Sequence, residues 1–267
     1  MEVKKYMYTF SNKGFFGYGE PGDFTYYSLA HILPILLLVL SIFYVYRNRE
    51  KIRASRYEGT FRYILSFILM IALMSYYWRV LYVGDETGRY SLLVKLPLEL
   101  CEFGAISAIF LLTSKNRFLF NYNFYVSLTF ATAAILMPTV LINTGPRYYR
   151  YYQFWLVHLI PIFSVFYMMF IHDMKPSLNY MYRVCGVMIL HALVAIQLNN
   201  RIPGANFLYL AGFSEEIAMG DNLMNYLPKN QYVRLLCLSV ISLAIFHLLY
   251  FAVRKIGEKQ TKKTVSA

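Results

Sequence analysis

Residues 28–47 read SLAHILPILLLVLSIFYVYR, with no charged side chain before Arg47. A run of this length and apolarity matches the roughly 30 Å hydrocarbon core of a bilayer. Six further blocks follow: FRYILSFILMIALMSYYW (61–78), VKLPLELCEFGAISAIFLLT (94–113), YNFYVSLTFATAAILMPTVLI (122–142), FWLVHLIPIFSVFYMMFI (154–171), MYRVCGVMILHALVAIQL (181–198) and YVRLLCLSVISLAIFHLLYFAV (232–253). In lipid every backbone polar group must be satisfied within the fold, so runs this long without strand alternation imply helices. Composition agrees: 58% of the 267 residues are hydrophobic and 15% charged, against about 25% charged in a soluble domain. The expected fold is all-α, a polytopic transmembrane bundle of about seven helices.

Basic residues set the expected orientation. The first connection, RNREKIRASRYEG, carries five between positions 47 and 56, and the tail RKIGEKQTKKTVSA carries another five. Positively charged loops stay in the cytoplasm. The chain therefore reads as a multi-pass cell-membrane protein with an outward N-terminal segment (1–27), a membrane domain (28–253) and a basic cytoplasmic tail (254–267). The net charge of +12 flanks spans rather than forming a basic face, so no nucleic-acid partner is implied. The first apolar block reads as a retained span rather than a cleaved leader. Cys101, Cys185 and Cys237 all fall within the expected helices and have neither zinc spacing nor a disulfide framework. His172, His191 and His247 form no close ligand array. No metal or cofactor is implied. Tyrosine-rich clusters such as SYYW and YYRYYQFW fall near block ends, where amphipathic rings suit the headgroup level, and some could line a lipid-binding mouth. The long connection 199–231 is apolar in its first half and is expected to fold over the outer mouth, placing Asn206 near a pocket.

Chemistry is expected where polar groups enter the spans, because an ionisable side chain there is costly. LPLELCEFGAIS places Glu99, Cys101 and Glu102 at the start of the third span, with Pro97 read as a first-turn residue. Gly104, Ala105 and Ala108 leave a low surface for a neighbouring helix. QFWLVHLIPIF places His158 at a depth like that of Cys101, with Trp155 on the same face. His31, in the first span, lies at that depth too. A histidine beside a thiol can take its proton and later protonate a leaving group. Each group also fits a plainer role. The glutamates suit contacts to headgroups, Lys95 or a loop arginine; Cys101 suits packing; His158 suits an interhelical hydrogen bond.

In order, SLAH, LPLELC, RYYQFWLVHLIPIFSVFYMM and GANFLYL resemble the YwaF/TMEM164 family of polytopic membrane proteins. Many bacterial members read LPLHLC, so Glu99 stands where they carry histidine. An animal relative is described as a lipid acyltransferase acting on ether phospholipids through a membrane cysteine and histidine. The resemblance implies that role for Cys101 and His158, and aligns His31 and Asn206 with family residues. The implied activity is acyl transfer to an alcohol or to water, with membrane phospholipids as the partners. His31, Glu99, Glu102, Trp155 and Asn206 would then serve substrate binding. A small-solute or proton-coupled transporter, and a noncatalytic partner of envelope proteins, are the competing readings.

Overall fold

A computed structural model describes residues 14–17, 22–83, 92–138, 141, 144–211 and 227–265. Among them there is no strand. The helices are α1 (Leu29–Arg47), α2 (Arg49–Arg53), α3 (Glu58–Val83), α4 (Leu100–Ser114), α5 (Arg117–Val126), α6 (Thr132–Leu136), α7 (Tyr149–Ile171), α8 (Leu178–Arg201) and α9 (Gln231–Val265). A π-helical turn, Ser127–Ala131, joins α5 to α6 into one span. Six helical stretches are long and apolar enough to cross a membrane: Leu29–Arg47, Glu58–Leu81, Arg117–Leu136, Tyr149–Ile171, Leu178–Arg201 and Gln231–Lys255. Together with the shorter α4 they occupy the seven blocks of the sequence.

Helix α7 is the centre of the bundle. Two-thirds (67%) of its apolar window is buried, against 17% for the α1 stretch and 11% for the α9 stretch. The peripheral helices display Leu36, Leu37, Leu40 and Phe43 of α1, and Leu236, Val240 and Leu248 of α9. Such continuous apolar faces suit lipid rather than water. The fold is a multi-pass membrane bundle.

Two ends can be distinguished. The basic end carries the 47–56 connection, the α4–α5 turn and the α7–α8 turn. There Asn116 caps α5, its Oδ1 accepting from Phe118 N at 2.8 Å and Leu119 N at 3.2 Å. This cap starts the fourth span earlier than its apolar run suggested. At the opposite end, here the site end, residues 14–17 lie across α3 and α7. Arg79 donates to Phe16 O (2.9 Å) and Gly17 O (3.0 Å), and Tyr149 N donates to Phe15 O (2.7 Å).

Helix α4 departs from the sequence expectation. Its 15 residues reach only about 22 Å at 1.5 Å per residue, short of a ~30 Å core. The rest of that block is a 3-10 turn, Leu92–Lys95, followed by non-helical residues 96–99. Pro97 therefore precedes the helix instead of opening it; a proline disfavours helical backbone in the residue before it. Irregular backbone at membrane depth is tolerated only against protein or beside a cavity. Here Leu96 and Leu98 pack against a cluster containing Ala192, Ala195, Ile196, Phe207 and Leu210.

Small residues let α4 approach α5, as the sequence suggested. Ala105 and Ala108 are fully buried, and a Cβ on Gly104 would stand 3.0 Å from Ser127 Oγ. The gap is bridged by Asn123, which donates to Ser107 Oγ at 2.5 Å and accepts from Ser127 Oγ at 2.9 Å.

Candidate functional site

The site begins where α4 begins. Glu99 is its N-cap residue with extended backbone (φ −71°, ψ 142°), and its own side chain does not cap the helix; the Glu102 side chain reaches back to the Glu99 backbone. The N–H groups of a first turn have no acceptor within the helix, and that end carries the positive pole of the helix dipole. Cys101 sits in this turn. Negative charge developing there, on sulfur or on a carbonyl oxygen under attack, meets backbone donors already in place.

The flanking glutamates are held apart by different partners. Glu99 turns toward the 202–211 segment, its Oε1 accepting from Leu208 N at 3.3 Å. Leu208 (φ 57°) and Tyr209 (φ 52°) are both left-handed, a strained backbone for non-glycine residues. Glu102 turns toward α3, its Oε1 accepting from Tyr77 Oη at 3.2 Å. Tyr77 belongs to the SYYW cluster, and here it holds a carboxylate beside Cys101.

Helix α7 supplies the opposite wall. His158 is 6% exposed, and its Nδ1 lies 2.7 Å from Phe154 O. A carbonyl can only accept, so Nδ1 carries the proton and Nε2 keeps the lone pair a general base needs. Phe154 stacks against the ring at 4.2 Å. One turn on, Pro161 has no N–H for the Val157 carbonyl, which weakens the helix beside His158. The ring's hydrogen bond thus goes to its own helix, and the link to Cys101 runs through a third residue.

That residue is Arg150, one turn before Phe154. Its guanidinium lies 4.5 Å above the Tyr76 ring and donates to Gln153 Oε1. It stands within electrostatic reach of Cys101, Glu102 and His158 together. Nothing in its neighbouring residues sets Arg150 apart from Arg147 beside it. Its position immediately after the Tyr149 start of α7, two turns before His158, was the available signal.

The remaining expected residues divide. His31, 2% exposed, has both nitrogens engaged: Nδ1 accepts from Tyr27 N (3.1 Å), and Nε2 donates to Ile135 O (2.8 Å). It ties the start of α1 to a carbonyl left free where α6 ends. Trp155 lies against His31, ring centres 6.0 Å apart, with its indole beside the Tyr151 side chain. Asn206 accepts from Ala211 N at 3.0 Å and opens the Phe207–Tyr209 turn. That segment packs into the site end as expected, with Phe207 and Leu210 almost fully buried. Its clamp is Asn199, which the sequence did not flag. Asn199 Oδ1 accepts from Phe207 N at 2.7 Å, and its amide donates to Phe207 O at 3.1 Å. The second half of the connection, 212–226, lies outside the described residues.

A lipid-facing groove of about 250 Å³ runs between α3 and α7, lined by Phe67, Ile71, Ala72 and Leu156 with Ser75, Tyr149 and Gln153 at its polar end. Gln153 is the residue bonded to Arg150, so groove and site meet at that guanidinium. Among the described residues no group of three or more His, Cys, Asp or Glu side chains is arranged to hold a metal.

These features define a multi-pass helical membrane protein with a polar site recessed below one face of its bundle. Residues 26–251 match the model of the TMEM164 family, and the chain belongs to that family. Comparisons with curated proteins and with solved structures return no match.

Proposed function

We propose that the protein is a membrane-embedded acyltransferase or acyl hydrolase acting on phospholipid esters through Cys101 and His158. The observation carrying this reading is the convergence at Arg150. A thiol in the first turn of a helix, a carboxyl group and an imidazole all lie within electrostatic reach of one guanidinium. A packing cysteine needs none of these neighbours.

The steps follow from the groups present. His158 Nε2 takes the Cys101 proton, and sulfur attacks the ester carbonyl. The oxyanion forms beside the first-turn N–H groups of α4. The ester C–O bond then breaks, and His158 returns its proton to the departing oxygen. The acyl group remains as a thioester until an alcohol or water accepts it. The groove between α3 and α7 offers an apolar path for a lipid chain, and Arg150, bonded to Gln153 at its polar end, supplies a cation for the phosphate. The basic end is assigned to the cytoplasm, the site end to the outer leaflet.

The test uses purified protein in phosphatidylcholine vesicles carrying a labelled acyl chain. Cys101→Ser and His158→Ala should each lower acyl release or transfer about 10²–10⁴-fold while the thermal transition is retained. Full turnover in both variants would make the pair structural. A parent protein that leaves lipid intact but moves a solute across the vesicle would establish the carrier reading instead. For orientation, a cysteine placed in the 47–56 connection should resist an impermeant reagent added to intact cells.

A further inference from the structure

The groove between α3 and α7 has a direction, a width and a polarity. Phe67, Ile71 and Ser75 recur every four residues on α3, and Tyr149, Tyr152 and Leu156 every three or four on α7, so each set shares one face of its helix. Helix α3 ends, and α7 begins, at the site end. Ser75 Oγ and Tyr149 Oη are hydrogen-bonded to each other there, while Phe67 and Leu156 lie at the deep end. From Ser75 to Phe67 the wall is about 12 Å long at 1.5 Å per residue. That fits within the ~15 Å that one leaflet contributes to a ~30 Å core. Spread over about 12 Å, a volume of about 250 Å³ gives a cross-section near ~20 Å², the width of one extended hydrocarbon chain. Two chains side by side do not fit.

The polarity runs as a phospholipid's does. Phe67, Ile68 and Leu156 make the deep end apolar. At the other end Gln153, 3% exposed, accepts from the Arg150 guanidinium. The 14–17 segment roofs this end. The Phe15 ring lies 6.1 Å from the rings of Tyr149 and of Tyr152, and Tyr149 N donates to Phe15 O at 2.7 Å. The side toward the bilayer is open, with Phe67, Ile71 and Leu156 all exposed. A guest therefore enters sideways, from lipid.

Apolar walls alone hold nothing there, because lipid tails are as apolar as the walls. What can hold a lipid in place is close fit along a chain together with a charge at one end. The groove offers both.

We propose that this groove binds one acyl chain of a phospholipid from the leaflet at the site end, with the phosphate toward Arg150, and that Leu156 sets the chain length it takes. As a statement about substrate selection this rests on the acyl-enzyme reading and deepens it by naming the subsite that chooses the acyl chain. Occupancy of the groove does not need turnover.

The experiment reads occupancy and turnover separately. Protein in phosphatidylcholine vesicles is irradiated with a phosphatidylcholine probe carrying a diazirine along one chain, and labelled positions are mapped by mass spectrometry. Residues 67–75 and 149–156 should be labelled about tenfold more, a ~1.4 kcal/mol preference, than the lipid-facing side of α1 around Leu36. Ile71→Trp and Leu156→Trp fill the groove from exposed walls and should lower that excess toward the α1 level. Leu36→Trp adds the same bulk outside the groove and should leave it unchanged. A diacylglycerol probe with the same chains should label the groove less. Even labelling of groove and α1 in the parent would overturn the proposal, and equal labelling by diacylglycerol would overturn the placement of the phosphate. In turnover, Leu156→Trp should shift preference toward shorter chains through KM more than kcat; an unchanged chain-length profile would remove Leu156 as the selector. A labelled groove in a parent that cleaves no lipid would sink the acyl-enzyme reading and leave the lipid site standing. Turnover without groove labelling would sink the groove alone.

Discussion

The two ends of the bundle treat buried polar groups in opposite ways. At the basic end, Glu58 Oε1 accepts from Arg62 Nε at 2.7 Å, His172 Nε2 at 2.9 Å and Tyr167 Oη at 3.1 Å. Arg62 also donates to Leu112 O, so one carboxylate joins α3, α4, α7 and the turn after α7. Further toward the site end, the Tyr122 hydroxyl is buried without a partner among the described residues. A saturated network fixes helices relative to one another. Where a hydroxyl is left unpaired by protein groups, no such tie holds the helices at that point. The comparison separates where this protein keeps its architecture from where it keeps its chemistry.

The contrast can be broken most directly at Glu58. Its side chain is 14% exposed, and that of Arg62 5%. Glu58→Ala leaves a buried guanidinium without its carboxylate, expected to destabilise the fold by about 3–5 kcal/mol. Thermal unfolding in detergent should show this as the largest single loss in the set, large enough to depress yield. Survival with an unchanged transition would mean that the basic end is not the architectural lock.

Gly104→Val should come next. Its Cβ would meet Ser127 Oγ at 3.0 Å, and the added methyls have no room beside fully buried Ala105 and Ala108. Overpacking of this kind costs about 1–3 kcal/mol and should also shift the start of α4, so lipid turnover falls together with stability. Of similar size is His31→Ala, which strands Tyr27 N and Ile135 O, at about 1–3 kcal/mol for unsatisfied buried groups. His31→Gln, able to bond one of the two, should recover part of that loss.

Tyr122→Phe sharpens the comparison from the other side. It removes a hydroxyl with no partner among the described residues, so its stability should lie within about 0.5 kcal/mol of the parent. A loss of several kcal/mol would show that the hydroxyl is already satisfied structurally.

The smallest effect is a pH slope from His172, at the turn that follows α7. Burial holds this ring below the ordinary imidazole value, an effect that Glu58 opposes. The unfolded chain therefore takes up its proton first as pH falls through about 6.5, and the folded state loses stability over that interval. Melting curves between pH 7.5 and 5.5 should show a modest decline that His172→Gln flattens.

Much of the architecture was legible because lipid imposes it. Apolar runs of spanning length admit only helices, so seven blocks gave seven helical regions, and Cys101, Glu102 and His158 stood out as polar groups within them. Local chemistry could also place Asn206 in a segment folded back on the bundle, since an apolar connection bearing glycine and proline has little reason to stay in water. What escaped was anything that depends on which helices face one another. The apolar run at 94–113 hides the fact that helix begins only at Leu100. The irregular stretch before it is stable because Phe207 and Leu210, about a hundred residues on, cover it. Arg150 reads as one of several outer arginines until α3 and α4 bring Tyr76 and Cys101 to it. Tyr77 and Tyr122 look like interfacial or core aromatics until their hydroxyls are placed. His31 looks reactive until Tyr27 N and Ile135 O are seen to occupy both nitrogens. Burial depth and helix periodicity are local properties of the chain. The partner of a polar atom is set by contacts between residues far apart in sequence, and here those contacts decide which groups are spent on the fold and which remain for chemistry.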